Sequence, residues 1–242
     1  HSRHLLRLNL TQNAPGIDGA PIPLDGVPAA ADVESVTWLS EGKFAIGTET
    51  QKAHRPSDDV FLVSVEKGRA KVTSRIPLPY KLWDLDAKAN DGIEGLCNAA
   101  GHLIAGAEPV GRLPDGKRFA PIGRWDPATK SWTPFKLRLT SHIGKISGLA
   151  CRTEKGDTKI TVLAIERHFG VSRLLRFTLP ESGPGDVIIP EVLVDFGRVI
   201  DAVPNLEGTT WSPQGDIFVL SDNNMGFVTG PTQVIFLPHS WP

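Results

Sequence analysis

The sequence predicts an all-β protein, a β-propeller of four-stranded antiparallel blades. Three observations predict it. One kind of segment recurs four times: DVESVTWLSEGKFAIGTET (32–50), GIEGLCNAAGHLIAGAEP (92–109), KISGLACRTEKGDTKITVLAIER (145–167) and NLEGTTWSPQGDIFVLSDN (205–223). Each reads as an apolar strand, a polar or glycine turn, a second apolar strand and an acidic residue. With Glu34, Glu94, Ser147 and Glu207 as anchors the spacings are 60, 53 and 60 residues, and Trp38 and Trp211 share an offset. A fixed period near this length is the mark of a blade repeat. The intervening runs are short, rich in β-branched and aromatic residues, and bounded by Gly, Pro, Asp and Asn, as strands are. Long helical periodicity is missing.

Each repeat supplies its inner two strands, and the stretch behind it supplies the outer two. DVFLVSVE and KVTSRIPLP follow the first repeat, FAPIGRWD and WTPFKLRL the second, SRLLRFTL and IIPEVLVDF the third, and TQVIFLP the fourth. The N-terminal segment RHLLRLNLTQNAPGIDGAPIPLDGV aligns with SRLLRFTLPESGPGDVIIPEVLVDF. Residues 4–26 therefore read as the third and fourth strands of a first blade whose two inner strands are missing from this sequence. The expectation is five blades, within a range of four to six, in one domain over residues 1–242. The N-terminal strands alternatively close the last blade.

Composition narrows the function. The 26 basic and 27 acidic side chains of the 242-residue chain leave a net charge of −1. That balance argues against nucleic-acid or membrane-surface partners, which want a basic face. No apolar run of 18 residues exists to span a bilayer, and HSRHLLRLNL lacks the apolar core of a signal peptide. Cys97 and Cys151 match neither CxxC nor a zinc pattern. Their offsets from the anchors differ by one, which on adjacent inner strands turns them to opposite sides and counts against a bridge.

The acidic residues carry the chemistry. In a propeller the start of strand one and the end of strand two of every blade lie on one face. That gathers Glu34, Glu94 and Glu207 at the channel mouth, with Glu49, Glu108, Glu166 and Asp222 just outside. Crowded carboxylates raise each other's pKa, and a hard cation with oxygen ligands relieves them. The expected metal ligands are Glu34, Glu94, Glu207, Asp222, Asn223 and Glu166, with Asn224 beside them. Ca²⁺, which takes 6–8 such oxygens, is the expected ion, although another divalent cation is possible. The alternative is that the acids pair with lysines and arginines across blades.

The loops after strand two are basic, and a ring of cations around an acidic funnel suits a small anionic ester or phosphate substrate. Arg55, Arg112, Arg118 and Arg173 are the expected substrate-binding residues, with Lys52 and Lys117 on the same rim. His168 and His54 are the expected acid–base groups, and Arg167 stands with them as a catalytic candidate. No nucleophile elbow, P-loop or dinucleotide fingerprint is present.

NDGIEGL (90–96), KISGLAC (145–151), VLAIERHFGVSRLLRF (162–177) and NLEGTTWSPQGDIFVLSDNN (205–224) resemble the repeats of the phytase-like, esterase-like propeller family. The resemblance covers most of the chain and implies a secreted or periplasmic propeller with phosphoesterase or esterase activity. The arrangement is also similar to the calcium-dependent lactonase and gluconolactonase propellers, which implies Glu207, Asp222 and Asn223 as first ligands with Glu34 and Glu94 opposite. The function expected is metal-assisted ester or phosphoester hydrolysis at the channel mouth. The alternatives are a non-catalytic propeller that binds a ligand or protein on the same face, and a structural propeller.

Overall fold

The computed structural model describes residues 3–9, 16–153, 158–181, 183–223 and 231–239. Its N-terminal strands are β1 (His4–Leu5), β2 (Leu8–Asn9), β3 (Gly16–Ile17) and β4 (Ile22–Asp25). Blade one holds β5 (Ala31–Ser40), β6 (Lys43–Thr50), β7 (Ser57–Glu66) and β8 (Arg69–Pro79). Blade two holds β9 (Gly95–Ala99), β10 (His102–Gly106), the two-residue β11 (Gly111–Arg112), β12 (Arg118–Asp126) and β13 (Ser131–Arg138). Blade three holds β14 (Lys145–Thr153), β15 (Ile160–His168), β16 (Val171–Leu179) and, past β17 (Val187–Ile188), β18 (Glu191–Asp195). Blade four holds β19 (Leu206–Trp211), β20 (Ile217–Ser221) and β21 (Val234–Leu237).

The protein is thus an all-β propeller of four blades, inside the expected range and one short of the five anticipated. The N-terminal segment accounts for the difference. Its strands pair antiparallel, β1 with β4 and β2 with β3, but found no blade of their own. Instead β4 joins the outer edge of blade one in parallel, Leu24 opposite Ala70. The Arg3 guanidinium fixes this docking by donating to the carbonyls of Val27, Pro28 and Ala29. β17 does the same to blade two, Lys136 opposite Val187. The outer strands of blades one and two are therefore each covered by a strand from a neighbouring segment, which satisfies groups that would otherwise invite another chain.

Inner strands β5, β9, β14 and β19 pack in that order around the channel. The second strands read as unbroken apolar runs because both of their faces are buried. Val162 and Ala164 of β15 join a core with Ile104, Ile122 and Phe135 of blade two. The alternate residues Leu163 and Ile165 face blade four and pack with Leu206 and Val219. Ala45 and Val60 of blade one meet Leu96, Leu103 and Phe119 of blade two in a third layer. Each of the larger side chains, Val, Leu, Ile and Phe, contributes about 1.5–3 kcal/mol by leaving water. Among the described residues β19 and β5 do not pack comparably, and Val36 and Trp38 of β5 stay 53% and 60% exposed. No helix among the described residues is long and apolar enough to cross a membrane.

Cys97 and Cys151 form a disulfide between β9 and β14, with Cα atoms 5.5 Å apart. This corrects the parity argument. Equivalent positions in successive blades point the same way around the ring, so two residues meet across an interface only from opposite sheet faces. Cys97 and Ala99 face blade three while Leu149 and Cys151 face blade two, and all of them share one core. The offset of one is what lets the sulfurs meet.

Candidate functional site

The repeat anchors are β-bulges. The β5–β6 register shifts between Val33 and Ser35, the β14–β15 register between Ile146 and Gly148, and the β19–β20 register between Leu206 and Gly208. The extra residue in each case is the anchor: Glu34, Ser147 or Glu207. A bulge leaves its residue out of the ladder and re-aims its side chain. In blade two Glu94 immediately precedes β9. Glu34, Glu94 and Glu207 line a channel cavity of about 430 Å³, whose walls continue with Val36, Leu96 and Leu149. Ser147 instead donates its hydroxyl to the Leu206 carbonyl at 2.9 Å and ties blade three to blade four.

Two overlapping carboxylate triads sit at the mouth. Asp32, Glu34 and Glu49 offer oxygens within 4.8 Å of one another, and so do Glu49, Glu94 and Glu108. Glu49 belongs to both. It is 2% exposed, and its Oε2 is buried with no hydrogen-bond partner. It is pressed there by Gly92, where a Cβ would lie 2.1 Å from that of Glu49. Only glycine admits this approach of the blade-two entry to the end of β6. Asp32 and Glu34 keep exposed surface at the rim, yet partial desolvation of the Glu34 carboxyl, with repulsion from Asp32, Glu207 and Glu108, pushes it up to about 7. Burial and the neighbouring Glu34 and Glu108 push Glu49 to about 8, and burial with Glu108 and Glu34 pushes Glu94 to about 9.

Several of the other acids have compensating partners. Glu166 is fully buried and accepts hydrogen bonds from the backbone N–H and hydroxyl of both Thr140 and Ser141. Glu207 pairs with Arg167 at 2.8 Å and accepts from the Asn205 amide, although burial still raises its pKa. Lys145 lies 2.9 Å from Asp91 and 3.3 Å from Glu108. Asp222 sits beside Glu207: its N–H donates to the Asn205 carbonyl at 2.8 Å, and its charge helps raise Glu207. Asn223 adjoins it, half-buried, and Asn224 lies outside the described residues.

Several of the expected cations are engaged within the fold. Arg55 is buried, ion-paired with Asp58, and donates to the carbonyls of Lys52, Lys88 and Asp91. Arg173 pairs with Asp195 at 3.1 Å and donates to Thr140. Arg118 keeps a buried Nη1 without a partner, and burial lowers its pKa. Arg112 is exposed and reaches the Gly116 carbonyl. His54, in a left-handed conformation (φ 55°), bonds Asp86 and lines a separate cavity of about 390 Å³ that shares no residue with the channel. His168 ends β15, exposed, its ring edge-on to that of Phe169. The sequence reading did not single out Asp32, Asp91 or Lys145. Asp32 is two residues before Glu34 on the same strand face, a spacing that could have found it.

Among solved structures the chain is similar to a luciferin-regenerating enzyme, with 16% identity and a TM-score of 0.52 over 87% of this chain and 60% of that one. It spans about 60% of that protein's length. A Trypanosoma rangeli sialidase in complex with sialic acid follows at 11% identity and TM-score 0.47, over 94% of this chain and 40% of the sialidase. A GH43 endo-arabinanase from Bacillus licheniformis is 9% identical with TM-score 0.43, over 86% and 73%. No curated protein matches the chain. A family model does match, over residues 6–225, and the chain belongs to that family: phytase-like, described as the esterase-like activity of phytase.

Proposed function

We propose that the protein is a metal-assisted ester or phosphoester hydrolase with its site at the mouth of the propeller channel. One observation carries this: the buried, partnerless Glu49 carboxylate is shared by two acidic triads. Uncompensated carboxylates at this density are costly to ionise, and a hard cation relieves the cost with the oxygen ligands Ca²⁺ prefers. Asp32, Glu34, Glu49 and Glu94 are the residues that would hold it, with Glu207 and Asp222 across the channel. When bound, such a cation supplies Lewis-acid polarisation of an ester oxygen and acidifies a water.

The chain's own groups supply the rest. His168 takes or returns the proton at a ring nitrogen, since its ring is exposed at the end of β15. Arg167 holds Glu207 in place. Arg112, exposed on the rim, orients the anionic end of a small substrate. The apolar channel walls at Leu96 and Leu149 offer a surface for the uncharged part of a substrate. The Cys97–Cys151 bridge supports an extracytoplasmic location, secreted or periplasmic, where disulfides persist.

The test is native metal analysis followed by p-nitrophenyl ester and p-nitrophenyl phosphate assays with and without chelator. Bound Ca²⁺ and chelator-sensitive turnover are expected. A metal-free protein, or turnover indifferent to chelator, overturns the assignment. A bound cation without turnover of either ester class favours a non-catalytic ligand-binding propeller.

A further inference from the structure

The two triads differ in one respect that Lys145 creates. Lys145 is the first residue of β14, in blade three, yet its ammonium reaches back to blade two. There it contacts Asp91 Oδ1 at 2.9 Å and Glu108 Oε1 at 3.3 Å. Glu108 is also a member of the triad with Glu49 and Glu94. The Asp32–Glu34–Glu49 triad has no such contact: among the described residues no ion pair to any of its three members is found. One triad thus carries a tethered counter-charge and the other does not, while Glu49, with its partnerless Oε2, stands between them.

We propose that Lys145 competes with a divalent cation for Glu108 and so directs the first cation to the Asp32–Glu34–Glu49 triad. This rests on the assignment of the mouth as a cation site. An ammonium and a dication cannot both take full advantage of one carboxylate. Their mutual repulsion at this separation, in surroundings drier than water, weakens whichever binds second. The Glu49–Glu94–Glu108 triad therefore fills only when Lys145 gives up Glu108. Lys145 is a positioning residue, setting affinity and occupancy without touching the reacting atoms.

The experiment is calorimetric titration of the full chain with CaCl₂, comparing wild type with Lys145→Met, Lys145→Arg and Glu108→Gln. Lys145→Met should bind Ca²⁺ about tenfold more tightly, or take up a second equivalent, in line with ordinary coupling between sites. Lys145→Arg keeps the charge and should behave as wild type. In the Glu108→Gln background, Lys145→Met should add nothing, because the shared partner is gone. Circular dichroism separates a variant that misfolds from one that binds differently, and Lys145→Arg with Glu108→Gln then carries the test. Wild-type binding that Lys145→Met leaves within twofold in affinity and unchanged in stoichiometry overturns this inference alone. Binding by neither protein overturns it together with the cation assignment.

Discussion

Glu49 and Glu166 lie near the ends of the second strands of blades one and three, and both are buried. One ladder step separates their places: Glu166 is opposite Ile146, just before the bulge, and Glu49 is opposite Asp32, two residues before it. Their surroundings are opposite. Glu166 receives donors from Thr140 and Ser141, whereas Glu49 keeps a partnerless oxygen and faces Glu34, Glu94 and Glu108. The one-step offset turns the two side chains to opposite sheet faces, and the entry loops supply the rest of the difference. LTSHIG (139–144) leads into blade three with two hydroxyls, while GVPAA (26–30) leads into blade one with none. Gly144 lets the first loop wrap its acid, since a Cβ there would lie 2.3 Å from Glu166 Oε1. Gly92 presses on Glu49 but brings no donor from its side chain. Repetition thus brings acids to the ends of the second strands, and register together with the entry loops decides which stay structural and which are left for a ligand.

The largest expected effect tests the uncompensated side as a whole. Glu34, Glu49 and Glu94 have pKa values raised from 4.5 to about 7, 8 and 9. Below pH 4.5 they are protonated in both folded and unfolded chains and cost nothing. As pH rises past 4.5 the unfolded chain releases protons that the folded one retains, so stability falls until the folded values are passed. The chelated protein should lose roughly 15 °C of Tm between pH 5 and pH 9, followed by differential scanning calorimetry. Excess Ca²⁺ should flatten the fall. A Tm that is level or rises with pH in chelator removes the contrast.

Next in size is the bridge that locks blade two, which carries Glu94, to blade three. Its closed loop spans 54 residues, worth about 4 kcal/mol in the chain-entropy account. The Cys97→Ala/Cys151→Ala pair should lower unfolding free energy by about that amount in urea titrations. If Ca²⁺ affinity stays unchanged, the triads are organised within blades one and two and not by the lock.

Glu49→Gln sharpens the contrast directly. It removes the ligand common to both triads, so Ca²⁺ affinity should fall by at least the roughly 100-fold that loss of a supporting group costs elsewhere. Metal-free stability should hold or rise, because a repelling charge has gone. Titration calorimetry and thermal melts read the two quantities separately. Loss of affinity with a marked loss of stability would mean that Glu49 is structural after all.

Much of this was legible in the sequence. The anchors, the strand pairs and the placing of Glu207 beside Asp222 follow from the repeat, because spacing alone fixes which strand ends share a face. The pairing of residues between blades did not follow. Cys97 with Cys151, Lys145 with Glu108 and Arg167 with Glu207 depend on which sheet face each residue presents to the next blade. A one-residue bulge at the anchor resets that face. The N-terminal strands, expected as the third and fourth strands of a separate blade, instead extend blade one, because their docking on β8 is a parallel contact with no local signature. Likewise an arginine at a loop position looks the same whether it awaits a substrate or, like Arg55, is spent on Asp58 and three carbonyls.

The smallest effect concerns the compensated partner. Glu166→Gln keeps the shape and replaces one carboxylate oxygen by an amide NH₂. That group then faces the N–H and O–H of either Thr140 or Ser141, which are donors and cannot accept in their present arrangement. Bonds to a charge become bonds to a neutral carbonyl, and one donor pair is left buried against another. The expected loss is about 2 kcal/mol, or roughly 6 °C of Tm for a chain of this size. Ca²⁺ affinity should stay within twofold, since Glu166 has no oxygen to spare for a cation. The two glutamine variants then give opposite signatures: affinity without stability at Glu49, stability without affinity at Glu166. A Glu166→Gln protein that folds as well as wild type but binds Ca²⁺ weakly would reverse the assignment and make blade three part of the cation site.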